Sequence, residues 1–193
     1  MRPDLGLYQG KYALRRVLDR IPGIARLQPN AVSLASLAPS AIAAVSLAQG
    51  WWPLVAAGIV GRMVLSTLDG LIAEKYGKKT RVGAYLNRVP AELGDVMILL
   101  ALWWRADPAW VVLVVAGAWM VNVFGVLGVV AGGSTQSVGP AGQTDRLAIL
   151  LVASLAALVV DIAWTIVCQL LVAAEALTVL LRVRRSVREL GGV

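Results

Sequence analysis

Histidine is absent from this chain, and cysteine occurs once. Without an imidazole there is no Ser-His-Asp triad, no histidine-ligated zinc or haem and no histidine base. Any chemistry must run on carboxylates, amides, hydroxyls, Lys/Arg and metal ions. Cys168 has no partner for an intrachain disulfide, and its apolar neighbours make it a small packing residue that says nothing about redox compartment. Charge is also scarce, at 15% of the 193 residues, against about 25% in an ordinary soluble domain. Apolar residues take its place: 59% of the chain is hydrophobic and the mean hydropathy is +0.75. A core of this size could not bury so much apolar surface, which excludes a soluble fold and a disordered chain alike. The expected class is an all-α integral membrane protein, one domain of about six transmembrane helices at about 20 residues each.

Residues 1–30 form a basic arm carrying Arg2, Lys11, Arg15, Arg16, Arg20 and Arg26 without a continuous apolar run, so no cleaved secretory signal is expected there. Leu14, Val17, Leu18 and Ile21 follow helical spacing with Lys11, Arg15, Arg16 and Arg20 opposite. That pattern predicts an amphipathic juxtamembrane helix resting on a membrane surface, the plainer alternative being a solvated arm. Six apolar stretches follow, at 31–50, 51–68, 89–104, 108–132, 147–160 and 164–181; the third and fifth are short and must begin or end in polar sequence. They define a membrane domain over 31–181, followed by a basic tail, 182–193. Gln49, Gly50 and Trp51 mark a tight turn that folds the first two stretches into a hairpin. Trp51, Trp52, Trp103, Trp104, Trp110 and Trp164 fall near predicted helix ends on one side, as an interfacial belt would.

The excess of positive charge, 18 Lys+Arg against 11 Asp+Glu, is distributed unevenly. It falls on the N-terminal arm, the 75–88 segment, Arg146 and the C-terminal segment, with Arg105 alone on the other side and Arg62 inside the second stretch. This asymmetry predicts cytoplasmic N- and C-termini. It also suits contact with anionic membrane lipids, and it gives no support to nucleic-acid binding, because the basic residues are spread over four segments with no aromatic platform.

Charges inside membrane helices are expensive and usually functional. Arg62, Ser66, Asp69 and Ala73 share one face of the second stretch, and Asn87, Ala91 and Asp95 form a second row on the third, with Glu92 on a neighbouring face. Between the rows lies a loop from Gly70 to Gly83 containing Lys75, Lys78, Lys79 and Arg81. Oxygen ligands beside a basic loop suit a divalent cation shared with substrate phosphate. The alternative is structural ion pairing, Arg62 with Asp69 and Arg88 with Glu92 or Asp95.

The passage from Ser66 through Asp69-Gly70 and Ala73-Glu74 to Gly83, Asn87 and Ala91 resembles the signature of the CDP-alcohol phosphatidyltransferase family, D-x2-D-G-x2-A-R-x8-G-x3-D-x3-D. Gln28-Pro29-Asn30-Ala-Val-Ser is similar to the P-N-x-[VI]-[TS] opening common in that family, and 139–146, GPAGQTDR, to a G-P-x-G-K-x-D-R segment of some bacterial branches. The resemblance implies a membrane enzyme of phospholipid biosynthesis, in the cytoplasmic (inner) membrane of a bacterium. Such an enzyme transfers a substituted phosphate from CDP-diacylglycerol or another CDP-linked donor to an alcohol acceptor and releases CMP, with Mg²⁺ or Mn²⁺ on the donor. Carried over, it places metal ligands at Ser66, Asp69 and Asn87 and substrate contacts at Gly70, Ala73, Lys79, Arg81, Gly83, Arg88 and Arg146. Of the four signature aspartates only Asp69 remains, Glu74 replaces the arginine, and Ala91 cannot act as base. Asp95 or Glu92 is the substitute candidate for the catalytic role. Two functions follow from this departure: a transferase with a rearranged site, or a relative that binds nucleotide, lipid or a partner without turnover. A transporter is disfavoured, since no internal repeat is visible. Gly125, Gly128, Gly132 and Gly133 read as close-packing positions or as the face of a homodimer.

Overall fold

The computed structural model describes residues 10–19 and 23–192, and no strand occurs among them. The N-terminal helix α1 (Gly10–Leu18) packs on the far end of α4 (Trp52–Lys75). Leu14 and Leu18 enter a small apolar cluster with Ile24, Val32, Leu68, Leu71 and Ile72, while Val17 is exposed. Ile21, the last residue of the expected stripe, lies outside the described residues. An ion pair from Lys75 to Asp19 adds to this attachment.

The first apolar stretch forms α2 (Pro29–Ala35) and α3 (Leu37–Gln49), interrupted at Ser36. Pro29 occupies the first turn, where its missing N–H is no loss. The serines at the interruption satisfy themselves on the backbone: Ser36 Oγ donates to the Ser33 carbonyl (2.6 Å) and Ser40 Oγ to that of Ser36 (2.8 Å). The predicted tight turn is present. Gly50 takes a left-handed conformation (φ 77°) that ends α3, and the Trp51 N–H returns to the Ser46 carbonyl. Arg105 donates there as well, to the carbonyls of Leu47 (3.0 Å) and Ala48 (2.9 Å), and lies 5.4 Å from the Trp52 ring centre. That lone arginine caps a helix end.

Among the described residues, four helical segments are long and apolar enough to cross a membrane: Pro29–Gln49, α4, α6 (Pro108–Val130) and α8 (Trp164–Leu190). The expected third and fifth spans fall outside this set. α5 (Arg81–Leu100) carries Arg81, Arg88, Glu92 and Asp95, and α7 (Gln143–Ala156) has only 14 residues. α8 does not stop near Leu181 but continues to Leu190, so most of the expected C-terminal tail is helix.

α6 and α8 form the longest helix pair. α6 turns inward Val111, Val114, Ala118, Val121, Gly125 and Gly128, spaced alternately by three and four, and exposes Val112, Leu113, Trp119, Met120 and Leu127. α8 answers with Trp164, Cys168, Leu171, Glu175, Thr178 and Arg182 at the same spacing. A Cβ on Gly117 would clash with the Glu175 carboxylate, and one on Gly125 or Gly128 would press on Arg182 or Ser186. These small residues admit the polar side chains of α8, and Gly117, Gly125 and Gly128 are spent on packing within the chain. Large apolar residues point outward along all the long helices, the arrangement of an integral membrane protein. The apolar core, with Leu47, Ile59, Leu102, Val111, Leu150 and Cys168 fully buried, sits toward the Trp52–Trp164 end, where those rings stack at 5.3 Å. Polar burial is concentrated at the opposite end.

Candidate functional site

Asp95 is the hub of the buried polar layer. Its Oδ1 lies 3.0 Å from Arg62 Nη2 on α4 and its Oδ2 2.6 Å from Arg146 Nη2 on α7. All three residues are at most 3% exposed. Arg62 also donates to the Ala91 carbonyl, and Arg146 Nη1 to that of Ala141 (2.9 Å). Glu175 is buried 3.8 Å from Arg146 Nε. Arg62 therefore pairs across to α5 rather than with its helix neighbour Asp69, and Asp95 takes Arg62 and Arg146 in place of Arg88. The ion pairing expected as an alternative does exist, with different partners. It clamps α4, α5, α7 and α8 into one unit, and both oxygens of Asp95 are occupied by guanidinium groups.

One to two helical turns from that clamp, toward the α4–α5 loop, lie the signature positions. Arg62 meeting Ala91 and Asp95 fixes the antiparallel register of α4 and α5, so Ser66 and Asp69 stand on α4 at the level of Asn87 on α5. Asp69 is 2% exposed. It accepts from Ser33 Oγ of α2 at 2.6 Å and from the N–H of Gly70. Ser33 closes the Pro29-Asn30-Ala-Val-Ser passage, which supplies α2 as a third wall. Gly83 opens α5, where its N–H donates to the N-cap Thr80 Oγ1 at 2.9 Å. A Cβ there would stand 3.1 Å from Asn30 Oδ1. Ala73 is half-buried on the same α4 face, and Gly70 is approached by Arg15 from α1. Ser66, Asp69, Asn87, Gly70, Ala73 and Gly83 thus line one end of the bundle, between α2, α4 and α5.

The basic candidates divide. Lys79 and Arg81 are exposed, Lys79 within 3.8 Å of Glu74. Lys78 donates to the carbonyls of Ala25 (2.7 Å) and Leu27 (2.9 Å), which pins the loop to the chain before α2. Arg146 is sealed inside the clamp at 1% exposure. Arg88 reaches a cavity of about 370 Å³ beside the clamp, shared with Asn122, Gln143, Thr144 and Arg182. Residues 142–145 of the 139–146 passage line it. Gly139 has φ 118° and no room for a side chain against Thr178, whose Oγ1 accepts from the Ala141 N–H at 3.0 Å. Arg182 donates to the carbonyls of Val138 (3.0 Å) and Val121. Glu92 accepts from Asn122 Nδ2, so its half-buried carboxylate stands behind that residue of the cavity lining. Asn122 and Arg182 carried no signature in the sequence, and Ser33 was marked only as the end of the Pro29-Asn30-Ala-Val-Ser passage. Arg182 could have been suspected from its place on the α8 stripe, but Asn122 reads as one polar residue in an apolar run.

The donor set of Asp69 carboxylate, Ser66 hydroxyl and Asn87 amide is all oxygen, which fits magnesium or manganese. Its charge is low: among the described residues no group of three or more Asp, Glu, Cys or His side chains gathers at one point. These residues fit a dication whose remaining ligands come from phosphate.

Residues 26–181 match the family description CDP-alcohol phosphatidyltransferase. The chain is 29% identical over 87 residues to the Inner membrane protein YnbA of Escherichia coli, covering 44% of this chain and 43% of that protein. It is 30% identical over 105 residues to the Archaetidylinositol phosphate synthase of Pyrococcus horikoshii, covering 52% and 56%. The matched parts span about half the length of these curated relatives. Among solved structures, phosphatidylinositol phosphate synthase of Mycobacterium tuberculosis with CDP-DAG bound has the same fold, with a TM-score of 0.74 at 19% identity over 96% of this chain and 97% of that one. The same enzyme in complex with manganese and citrate gives 0.71 at 20% identity, over 91% and 88%.

Proposed function

The chain belongs to the CDP-alcohol phosphatidyltransferase family, and from that membership we propose that it transfers a phosphatidyl or similar substituted phosphate group from a CDP-linked lipid to an alcohol in phospholipid biosynthesis. The observation that carries this reading is the geometry around Asp69. The one surviving signature carboxylate is buried against Ser33 at the level of Asn87, one to two turns from the clamp beside which a polar cavity opens. The CDP diphosphate would lie along Gly70, Ala73 and Gly83, where the small residues admit it. A bound Mg²⁺ or Mn²⁺, held by Asp69 with Asn87 and Ser66, would supply charge neutralisation of the diphosphate. Lys79, Arg81 and Arg88 add positive charge on the open side. The acceptor alcohol takes the 370 Å³ cavity. Its hydroxyl oxygen attacks the lipid-bearing phosphorus, the bond from that phosphorus to the CMP oxygen breaks, and the hydroxyl proton passes to a carboxylate. Glu92 suits that role, because its carboxylate accepts from Asn122 of the cavity lining. Asp95 and Arg146, locked together, position α5 and α7.

The same reading places the chain in a bacterial cytoplasmic membrane with both termini in the cytoplasm. α5 with the turn Ala101–Trp104, and α7 with the turns after it, complete six spans, and α1 lies along the membrane surface beside the site. A lipid donor then stays in the bilayer while its head group meets a water-soluble acceptor. A second reading, binding without turnover, is favoured by the low charge at the site. The experiment that separates them is CMP release from CDP-diacylglycerol by the purified chain with Mg²⁺ or Mn²⁺ and a panel of alcohols and alcohol phosphates. Release that is lost in Asp69→Asn supports the transferase; donor binding with no release for any acceptor supports the binder.

A further inference from the structure

Position 74 departs from the signature in the sign of its charge: the pattern has arginine after the alanine, and this chain has Glu74 after Ala73. What meets that carboxylate is Arg15 from α1. Its Nη1 lies 2.6 Å from Glu74 Oε2, and its Nη2 stands 3.3 Å from the point a Cβ on Gly70 would occupy. One edge of the guanidinium is therefore held by Glu74, and the other faces the glycine whose N–H donates to Asp69. Arg15 is fixed from its own helix as well, since Leu14 and Leu18 on either side pack against Leu68, Leu71 and Ile72 of α4. The Arg15 side chain is 29% exposed, so it is turned toward α4 while still open to a ligand.

We propose that Arg15 is a phosphate-binding residue of the donor site, delivered from α1 to the place where the signature encodes an arginine on α4, with Glu74 as the positioning residue that aims it. This assignment rests on the donor reading given above. An exposed ion pair of this kind adds little to stability, so its value lies in orientation. The guanidinium has five N–H donors in a planar fork, and a carboxylate on one edge leaves the other for phosphate oxygens. A lysine could not serve both in that geometry.

The test is binding of CDP-diacylglycerol to the full chain in detergent micelles with Mn²⁺, by titration calorimetry, with the thermal midpoint of each variant recorded. Arg15→Gln is expected to weaken binding about tenfold, a loss of about 1.4 kcal/mol, and Arg15→Lys and Glu74→Gln each about threefold. Arg15→Gln combined with Glu74→Arg, which returns the cation to the signature position without the pair, should recover to within threefold of the natural chain. Arg15→Gln binding within twofold of the natural chain, at an unchanged midpoint, overturns the assignment and leaves the donor reading intact. So does failure of that combination to recover where the charge-reversed pair, Arg15→Glu with Glu74→Arg, does, for then the pair is only a tether. A natural chain that melts normally and binds no CDP-diacylglycerol overturns the donor reading, and the role of Arg15 with it.

Discussion

Replacing Asp95 by asparagine isolates the buried clamp. In the natural chain one carboxylate neutralises Arg62 at 3.0 Å and Arg146 at 2.6 Å, all within a layer at most 3% exposed. The amide of Asn can accept one of these hydrogen bonds, but its NH₂ must then face the other guanidinium. Glu175 stands 3.8 Å from Arg146 Nε and leaves a second carboxyl group beside Arg146, so Arg62 bears most of the loss. Breaking a buried pair in this way costs about 3–5 kcal/mol. For a chain of this length each kcal/mol lowers the melting midpoint by about 2–4 °C, so the midpoint should fall by about 6–20 °C. Seven tryptophans make intrinsic fluorescence in detergent micelles a suitable readout. The drop should be nearly the same at low and high salt, because buried charges are poorly screened. An Asp95→Asn protein that melts within about 2 °C of the natural chain would refute the clamp. If it also lost all CMP release, Asp95 would be the base after all.

Two other substitutions probe the remaining layers. Gly58→Ala would put a Cβ 2.7 Å from the Pro39 carbonyl and 2.8 Å from the Ala43 nitrogen, both backbone atoms that cannot swing aside. The α3–α4 hairpin must open, and a destabilisation of about 1–3 kcal/mol is expected in the same melting assay. Glu92→Gln should lower CMP release by about 100-fold or more while CDP-diacylglycerol affinity stays within twofold, as removal of a general base does; unchanged turnover would send the search for the base elsewhere.

The sequence made the faces legible, and the structure supplied the partners. Spacing by three and four put Arg62, Ser66, Asp69 and Ala73 on one side of α4, and two of that row do reach neighbouring helices, Arg62 to α5 and Asp69 to α2. Periodicity does not fix the rotation of one helix against another, so it could not say that Arg62 would reach Asp95 and leave Asp69 to Ser33. Arg146 read as a loop cation because it follows a glycine-rich passage. In the fold that passage turns back at Gly139 and carries Arg146 into the interior, where Ala141 and Asp95 hold it. Glu74 read as a lost arginine, and only the docking of α1, set by Leu14 and Leu18, showed a guanidinium returned to the same neighbourhood. Hydropathy marked the four long apolar segments plainly. α5 and α7 were harder to read for the same reason that they build the site, since their lengths are given over to charge and to caps.

On the proposed reading, with one carboxylate, one hydroxyl and one amide, the chain alone should hold a dication poorly, and the donor diphosphate would complete the set. Manganese binding followed by electron paramagnetic resonance tests this directly. The expected result is weak binding by the chain alone, binding tightened at least tenfold by CDP-diacylglycerol, and no such tightening in Asp69→Asn. Manganese binding that ignores the donor, or that survives unchanged in Asp69→Asn, would contradict a donor site built on Asp69.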